Sequence, residues 1–172
     1  FSGYNYREIL DFKKIFSENF SKNHFILFGI NKAGLERNKF YNNLIIVDHQ
    51  LNIINEYKKQ KLVPFGEFLP LEKILHKFGI KKITEGYGSF LKGGKQNNLI
   101  IDAMNILPLI CYEIIFTELI QRSDDNTNLI INISEDGWFG QSIGPHQHFS
   151  KSVFRAIEQD SYLVRSANKG IS

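Results

Sequence analysis

At 172 residues, with 42% hydrophobic and 13% aromatic side chains, the chain has enough apolar material for one sizeable core and fits a single domain better than two independent ones. A net charge of +3, with lysines spread along the chain in small doublets such as Lys13-Lys14, Lys58-Lys59 and Lys81-Lys82, argues against a polyanion-binding surface, so no nucleic acid partner is expected. The longest apolar runs, Phe25 to Ile30 and Leu129 to Ile133, fall far short of the ~20 residues that cross a bilayer, and a single cysteine permits no internal disulfide. That cysteine count leaves the redox compartment open. With no initiator methionine or signal-peptide pattern at its start, the chain is expected to be a piece of a longer protein.

Between Tyr6 and Phe20 the apolar residues Ile9, Leu10, Phe12, Ile15, Phe16 and Phe20 recur close to one helical face, which predicts an amphipathic helix. His24 to Gly29 reads as a strand, and Leu44 to Val47 and Ile53 to Tyr57 flank the polar turn Asp48-His49-Gln50 as a hairpin. A helix is expected over Leu71 to Phe78, after Pro70 and before Gly79. Glycines at 86, 88, 93 and 94 mark a loop-rich stretch before two strands, Leu99 to Ala103 and Ile106 to Ile110. Ile114 to Arg122 reads as a helix, Asn128 to Ile133 as a continuously buried strand, Gln147 to Gln159 as a helix and Tyr162 to Ser166 as a strand. Strands alternating with helices predict an α/β sheet architecture, with no internal repeat, low-complexity tract or linker.

Three segments carry candidate chemistry. Cys111 stands where an apolar strand meets a polar, helix-like stretch, and one thiol at a strand end is a candidate nucleophile once a nearby cation or base favours the thiolate. A lone cysteine is, by itself, more often a small buried hydrophobe. The second segment, Tyr57 to Glu67, follows a strand with a lysine pair, and its Pro64-Phe65-Gly66 turn can aim Glu67 back toward the strand end. An ammonium there would favour a thiolate and bind an oxyanion, although an isolated Lys59 would usually be a surface lysine and an isolated Glu67 a turn residue. The third, Asn132 to Gly140, leaves a buried strand and sets polar side chains beside the only tryptophan, Trp138; it reads either as a substrate rim or as a polar turn with a packed indole.

The blocks YKKQKLVPFGEFLPL, ICYEIIF, NISEDGWFG and GPHQHFSKSVFRAIEQDSYLVRSANKGIS, in this order between Phe40 and Ser172, resemble the nitrilase-like catalytic domain of the bacterial apolipoprotein N-acyltransferases. The stretch before Phe40 fits only loosely. The resemblance implies an αββα sandwich, here truncated at both ends, and a Glu, Lys and Cys triad with no cofactor and no metal. It also implies transfer of a fatty acyl chain from a phospholipid donor, through a cysteine thioester, to the N-terminal cysteine amine of a diacylated lipoprotein. By position Cys111 is the nucleophile, Lys59 rather than Lys58 the triad lysine, and Glu67 a second carboxylate near the thiol. Tyr112 and Glu113 match the residues that shape the pocket, and Trp138 and Phe139 an aromatic loop over the site's entrance. His148, Arg155, Glu158, Arg165 and Asn168 fall in matching blocks as structural supports.

One feature of that family is missing. The triad glutamate is expected in a Pro-Glu motif upstream of the first helix, and no Pro-Glu pair occurs before Phe40; Glu8 and Glu18 lie on the predicted helix and do not fit. The family's membrane helices and its closing strands are likewise expected outside this chain, which alone is expected to be inactive or poorly folded. The resemblance places the domain on the periplasmic side of the bacterial inner membrane, attached through segments elsewhere. A soluble carbon-nitrogen hydrolase acting on a small amide or nitrile, with water as acceptor, is the alternative. A catalytically dead interaction module that keeps the fold without the base is a third reading.

Overall fold

Leu44 to Val47 and Ile106 to Ile110 are each buried residue after residue, and each stretch becomes an inner strand of a sheet. Strands covered on both faces carry continuous apolar runs rather than alternation. In the computed structural model, which describes residues 6–36, 38–70, 89–120 and 125–172, the chain divides into two compact units, 1–54 with 58–94 and 55–57 with 95–172.

The first unit opens with two short helices, α1 (Tyr6–Leu10) and α2 (Lys13–Asn19), rather than the single helix predicted over 6–20. The apolar residues do not form one stripe: Ile9 is fully buried while Leu10 and Ile15 are exposed, and the chain turns at Asp11-Phe12 to change face. Strands β1 (Ile26–Ala33) and β2 (Lys39–Val47) pair antiparallel from Ile26 opposite Val47 to Ala33 opposite Phe40. The sheet runs in the order β1-β2-β3, with β3 at Ile53–Lys58, and the two-residue β4 (Ser89–Phe90) pairs parallel with β2. Ile9, Phe28, Ile30, Ile45, Val47 and Leu51 form the core of this unit. The helix expected over Leu71 to Phe78 lies outside the described residues.

The second unit holds a sheet in the order β5-β6-β7-β8, comprising Leu99–Ile101, Met104–Ile110, Leu129–Glu135 and Tyr162–Asn168. β5 and β6 are antiparallel; β6, β7 and β8 are parallel. Within the described part of the helix expected over 114–122, residues 114–120 do not make one helix. Cys111–Ile115 is a 3-10 turn, Phe116 is extended, and α3 (Thr117–Ile120) begins only after it, because the Glu113 carboxylate reaches back to the Ile110 N–H at 2.8 Å and tightens the first turn. A second 3-10 turn, Asp136–Phe139, precedes α4 (Gly144–Glu158), which starts three residues earlier than Gln147 because Pro145 fits the first turn of a helix. Leu107, Leu109, Ile114, Leu119, Ile120 and Ile130 are its core. These elements bear out the α/β reading. Parallel pairing aligns Ile110 with Ile133 and Glu135 with Asn168, so the segments leaving β6, β7 and β8 emerge at one edge of the sheet, where α/β proteins place their sites.

Candidate active site

In the first unit Lys59 follows β3 directly, and its backbone is fixed on both sides: its N–H donates to the Asn42 carbonyl and its own carbonyl accepts from the Gly93 N–H, each at 2.8 Å. Lys59 is 1% exposed, against the ordinary expectation of a surface lysine. Its Nζ donates to both oxygens of Glu67 at 2.8 Å. Glu67 is aimed by the turn that precedes it. Phe65 takes a left-handed φ of 63°, the Glu67 N–H donates to the Val63 carbonyl, and the Val63 N–H returns a bond of 2.9 Å to Glu67 Oε2. Asn42 Nδ2 completes the carboxylate at 3.2 Å from Oε1. Lys58 is committed differently, with its ammonium 4.8 Å over the Tyr41 ring.

In the second unit Cys111 directly follows β6 as a half-buried thiol with a left-handed φ of 53°, a conformation of order 1–3 kcal/mol unfavourable for a residue with a side chain. The next residues hold that elbow. Glu113 is fully buried, and besides Ile110 N–H it accepts from the Tyr57 hydroxyl at 3.1 Å. Asn132 on β7 donates to the carbonyls of Leu109 at 2.9 Å and Cys111 at 3.3 Å. His148 on α4 brings Nε2 to 3.2 Å from the same Cys111 carbonyl and Nδ1 to 2.9 Å from Asp136 Oδ1.

Arg165 on β8 ties this cradle together. Its Nη1 donates to Asn132 Oδ1, its Nη2 to Asp136 Oδ2 at 2.7 Å, and its Nε to the Ile171 carbonyl at 3.0 Å, which uses the full guanidinium fork. Asp136 is completely buried. Burial alone would raise its pKa, but the Ser134 hydroxyl, His148 and Arg165 outweigh it and hold the carboxyl below the usual carboxylate value. For His148, burial first and Arg165 second disfavour the charged ring and hold it below 6.5, against the opposing pull of Asp136 and the Cys111 carbonyl. The chain after β8 passes so close to Asp136 that a side chain at Gly170 would strike the carboxylate.

The remaining sequence-selected residues lie around this cradle. Tyr112 is exposed and packs its ring against Phe116 and His148, with centroids 6.2 and 5.9 Å apart. Phe139 meets the His148 ring edge-on at 5.6 Å, whereas Trp138 in the same 3-10 turn is 64% exposed. Among the described residues no group of three or more His, Cys, Asp or Glu is placed to hold a metal ion. Also among them, no helix is long and apolar enough to cross a membrane.

The sequence profile of the carbon-nitrogen hydrolases matches residues 13–172. The chain belongs to the carbon-nitrogen hydrolase family. It is 44% identical over 133 residues to the apolipoprotein N-acyltransferase of Rhodopseudomonas palustris and 43% identical to that of Bradyrhizobium diazoefficiens, in each case over 77% of this chain and 25% of the relative. It thus spans about a quarter of the length of the curated relatives it matches. Solved structures agree on the carbon-nitrogen hydrolase fold at low identity. The Caenorhabditis elegans NitFhit protein superposes with a TM-score of 0.64 at 18% identity, covering 91% of this chain and 35% of that one. The NitN amidase of Nesterenkonia sp. AN1 superposes at 0.58 and 15% identity, covering 91% and 52%.

Sequence reasoning selected Cys111, Lys59 and Glu67 but left Asn132 and Asp136 inside an undifferentiated polar turn and His148 and Arg165 as unspecified supports. A signal for them existed. Asn132 interrupts the apolar run Leu129 to Ile133 on a strand buried on both faces, and a buried amide requires partners.

Proposed function

We propose that this chain is the thiol-bearing catalytic domain of an enzyme that moves a fatty acyl chain from a membrane phospholipid, through a thioester on Cys111, to the N-terminal cysteine amine of a lipoprotein. The observation that carries the reading is the similarity to relatives named apolipoprotein N-acyltransferase, at 44% and 43% identity over three quarters of the chain. The strained, externally braced Cys111 supplies a chemical reason for it.

In this reading the Cys111 thiolate attacks the acyl ester carbonyl, and the oxyanion collapses to expel the lysophospholipid alcohol, which leaves with a proton. The lipoprotein amine then attacks the thioester, loses a proton and releases the thiolate. Splitting the transfer in two lets the donor product depart before the acceptor binds. Lys59 is assigned the cationic role toward the oxyanion, with Glu67 holding its ammonium in place. Glu67 is already occupied by Lys59, Asn42 and the Val63 N–H, so proton transfer is assigned to a glutamate of a Pro-Glu segment outside Phe40 to Ser172. Tyr112 and Glu113 shape the pocket, and exposed Trp138 with Phe139 is assigned to acyl-chain contact, as amphipathic aromatics suit an interface. The domain is assigned to the periplasmic face of the inner membrane, anchored by segments elsewhere in the protein.

The test uses the complete gene product in phospholipid micelles, with intact-mass detection of a hydroxylamine-sensitive acyl adduct. The adduct is expected in the parent, absent in Cys111→Ala, and discharged by a diacylated lipopeptide amine. An adduct that survives Cys111→Ala would sink the proposal. Discharge by water alone, with no response to the amine, would favour the hydrolase alternative.

A further inference from the structure

A residue in a strained backbone conformation persists only where its surroundings over-determine it, and for Cys111 the surroundings act through its carbonyl oxygen. Asn132 Nδ2 and His148 Nε2 both converge on that oxygen, and both residues are buried. A carbonyl only accepts, so the nitrogen of His148 that faces it carries the proton. With Nε2 protonated, a neutral ring leaves Nδ1 as an acceptor, and Arg165 Nη2 stands 3.2 Å away to donate to it. A doubly protonated ring would instead donate from Nδ1 to Asp136 Oδ1. Asp136 and Arg165 are the charged groups that face the ring among the described residues, and Tyr112 and Phe139 pack against it. Both forms keep the proton on Nε2 and with it the bond to the Cys111 carbonyl.

We propose that His148 is a positioning residue for Cys111: through Nε2 it locks the Cys111 carbonyl in the left-handed elbow and thereby sets the reactivity of the thiol. The inference rests on the reading of Cys111 as a nucleophile, but concerns the thiol before any acyl donor is present. Asn132 supplies the second donor, and Arg165 holds both donors in place through Asn132 Oδ1 and Asp136. His148 itself touches no substrate in this scheme.

Alkylation by iodoacetamide is followed on the complete gene product, with Cys111 read in its own peptide by mass spectrometry, so that the rate reports on that thiol alone. The rate is measured against pH for the parent, His148→Ala and His148→Gln, with far-UV circular dichroism on each. His148→Ala is expected to slow alkylation about tenfold, the rate equivalent of one lost hydrogen bond. His148→Gln, whose amide nitrogen reaches the position of Nε2 and does not titrate, is expected to restore most of the rate while removing the inflection that His148 adds to the parental profile. An Ala variant alkylated at the parental rate overturns the positioning role, as does a Gln variant that is folded but as slow as Ala, or one that does not fold. A parental thiol inert to iodoacetamide would count against the nucleophile reading itself. A reactive one indifferent to His148→Ala counts only against the positioning role.

Discussion

The Lys59–Glu67 pair and the Cys111 cradle are both buried polar assemblies at strand ends, yet they are built over very different lengths of chain. Lys59 and Glu67 are 8 residues apart, and the turn between them supplies the Val63 N–H as a further partner. The cradle recruits Asn132 and His148, 21 and 37 residues beyond Cys111, and closes through Arg165, 29 residues beyond Asp136. A short loop costs little entropy to close and can form its contacts early, whereas the cradle exists only after β6, β7 and β8 are in register. Asn132 and Arg165 are direct cross-strand partners in the β7–β8 pairing. A slip of one residue would send Arg165 to the opposite face of the sheet and dissolve the cradle with it.

That contrast is open to test through the two cations. Arg165→Met is expected to have the largest effect, about 3–5 kcal/mol of destabilisation, because it strands a fully buried Asp136 carboxylate and leaves Asn132 Oδ1 and the Ile171 carbonyl without this donor. Urea unfolding followed through Trp138, the single tryptophan and a neighbour of Asp136, reads this directly. A loss below about 1 kcal/mol would mean that the cradle is not what holds the sheet edge. Lys59→Met should cost less, about 3 kcal/mol, since Glu67 is partly exposed and keeps the Asn42 and Val63 donors. The double variant Lys59→Met/Glu67→Leu should be more stable than Lys59→Met alone, because it removes the stranded charge together with its partner. Additive losses in that cycle would contradict the pairing.

The same contrast explains which parts of the molecule were legible in the sequence. β2, β3 and β6 were legible from their apolar runs, and Lys59, Glu67 and Cys111 from compact blocks whose residues lie close together in the chain. The helix expected from Ile114 starts only at Thr117, because its apolar spacing is real but the Glu113 carboxylate turns back onto Ile110, a bond no periodicity encodes. Likewise the helix expected over 6–20 breaks because Ile9 and Ile15 serve different faces. His148 and Arg165 sit on an amphipathic helix and a strand of mixed polarity, where either could have been solvated. The turn from β7 into α4 brings His148 to Asp136 and the strand order brings Arg165, and the strand order is not written in any one segment.

A smaller effect sharpens the local side of the comparison. Gly93 passes so close to β3's end that a Cβ there would lie 2.5 Å from the Lys58 carbonyl oxygen and 2.8 Å from its Cβ, and backbone cannot yield as a flexible side chain would. Gly93→Ala is therefore expected to cost about 1–3 kcal/mol and to loosen the bond from the Gly93 N–H to the Lys59 carbonyl. The neighbouring Gly94 has open space around its Cβ position, so Gly94→Ala should stay within about 0.5 kcal/mol of the parent. Urea midpoints for the two single variants decide the matter, and equal losses would show that crowding at Lys58 is not the cause.

Acidification should separate the buried histidine from the hydrogen-bonded aspartates by pH rather than by position. His148 is held below 6.5 in the fold, so on lowering the pH the unfolded chain binds its proton first. Its contribution to stability is fully present above 6.5 and is lost progressively as the pH falls from there toward the folded value. Asp136 in the cradle and Asp48 in the hairpin turn are both held below 3.8; for Asp48 burial opposes the charge but the Asn52 side chain and the Asn52 and Gln50 N–H groups outweigh it. Their contributions are present above 3.8 and disappear only as the pH drops through the lowered values. The urea midpoint should therefore fall in two stages, a shallow one that begins near neutrality and a later acid one. His148→Gln should abolish the first stage alone, since glutamine does not titrate while both carboxylates remain. A first stage that persists in His148→Gln would assign it to another group and detach the cradle's histidine from the pH response.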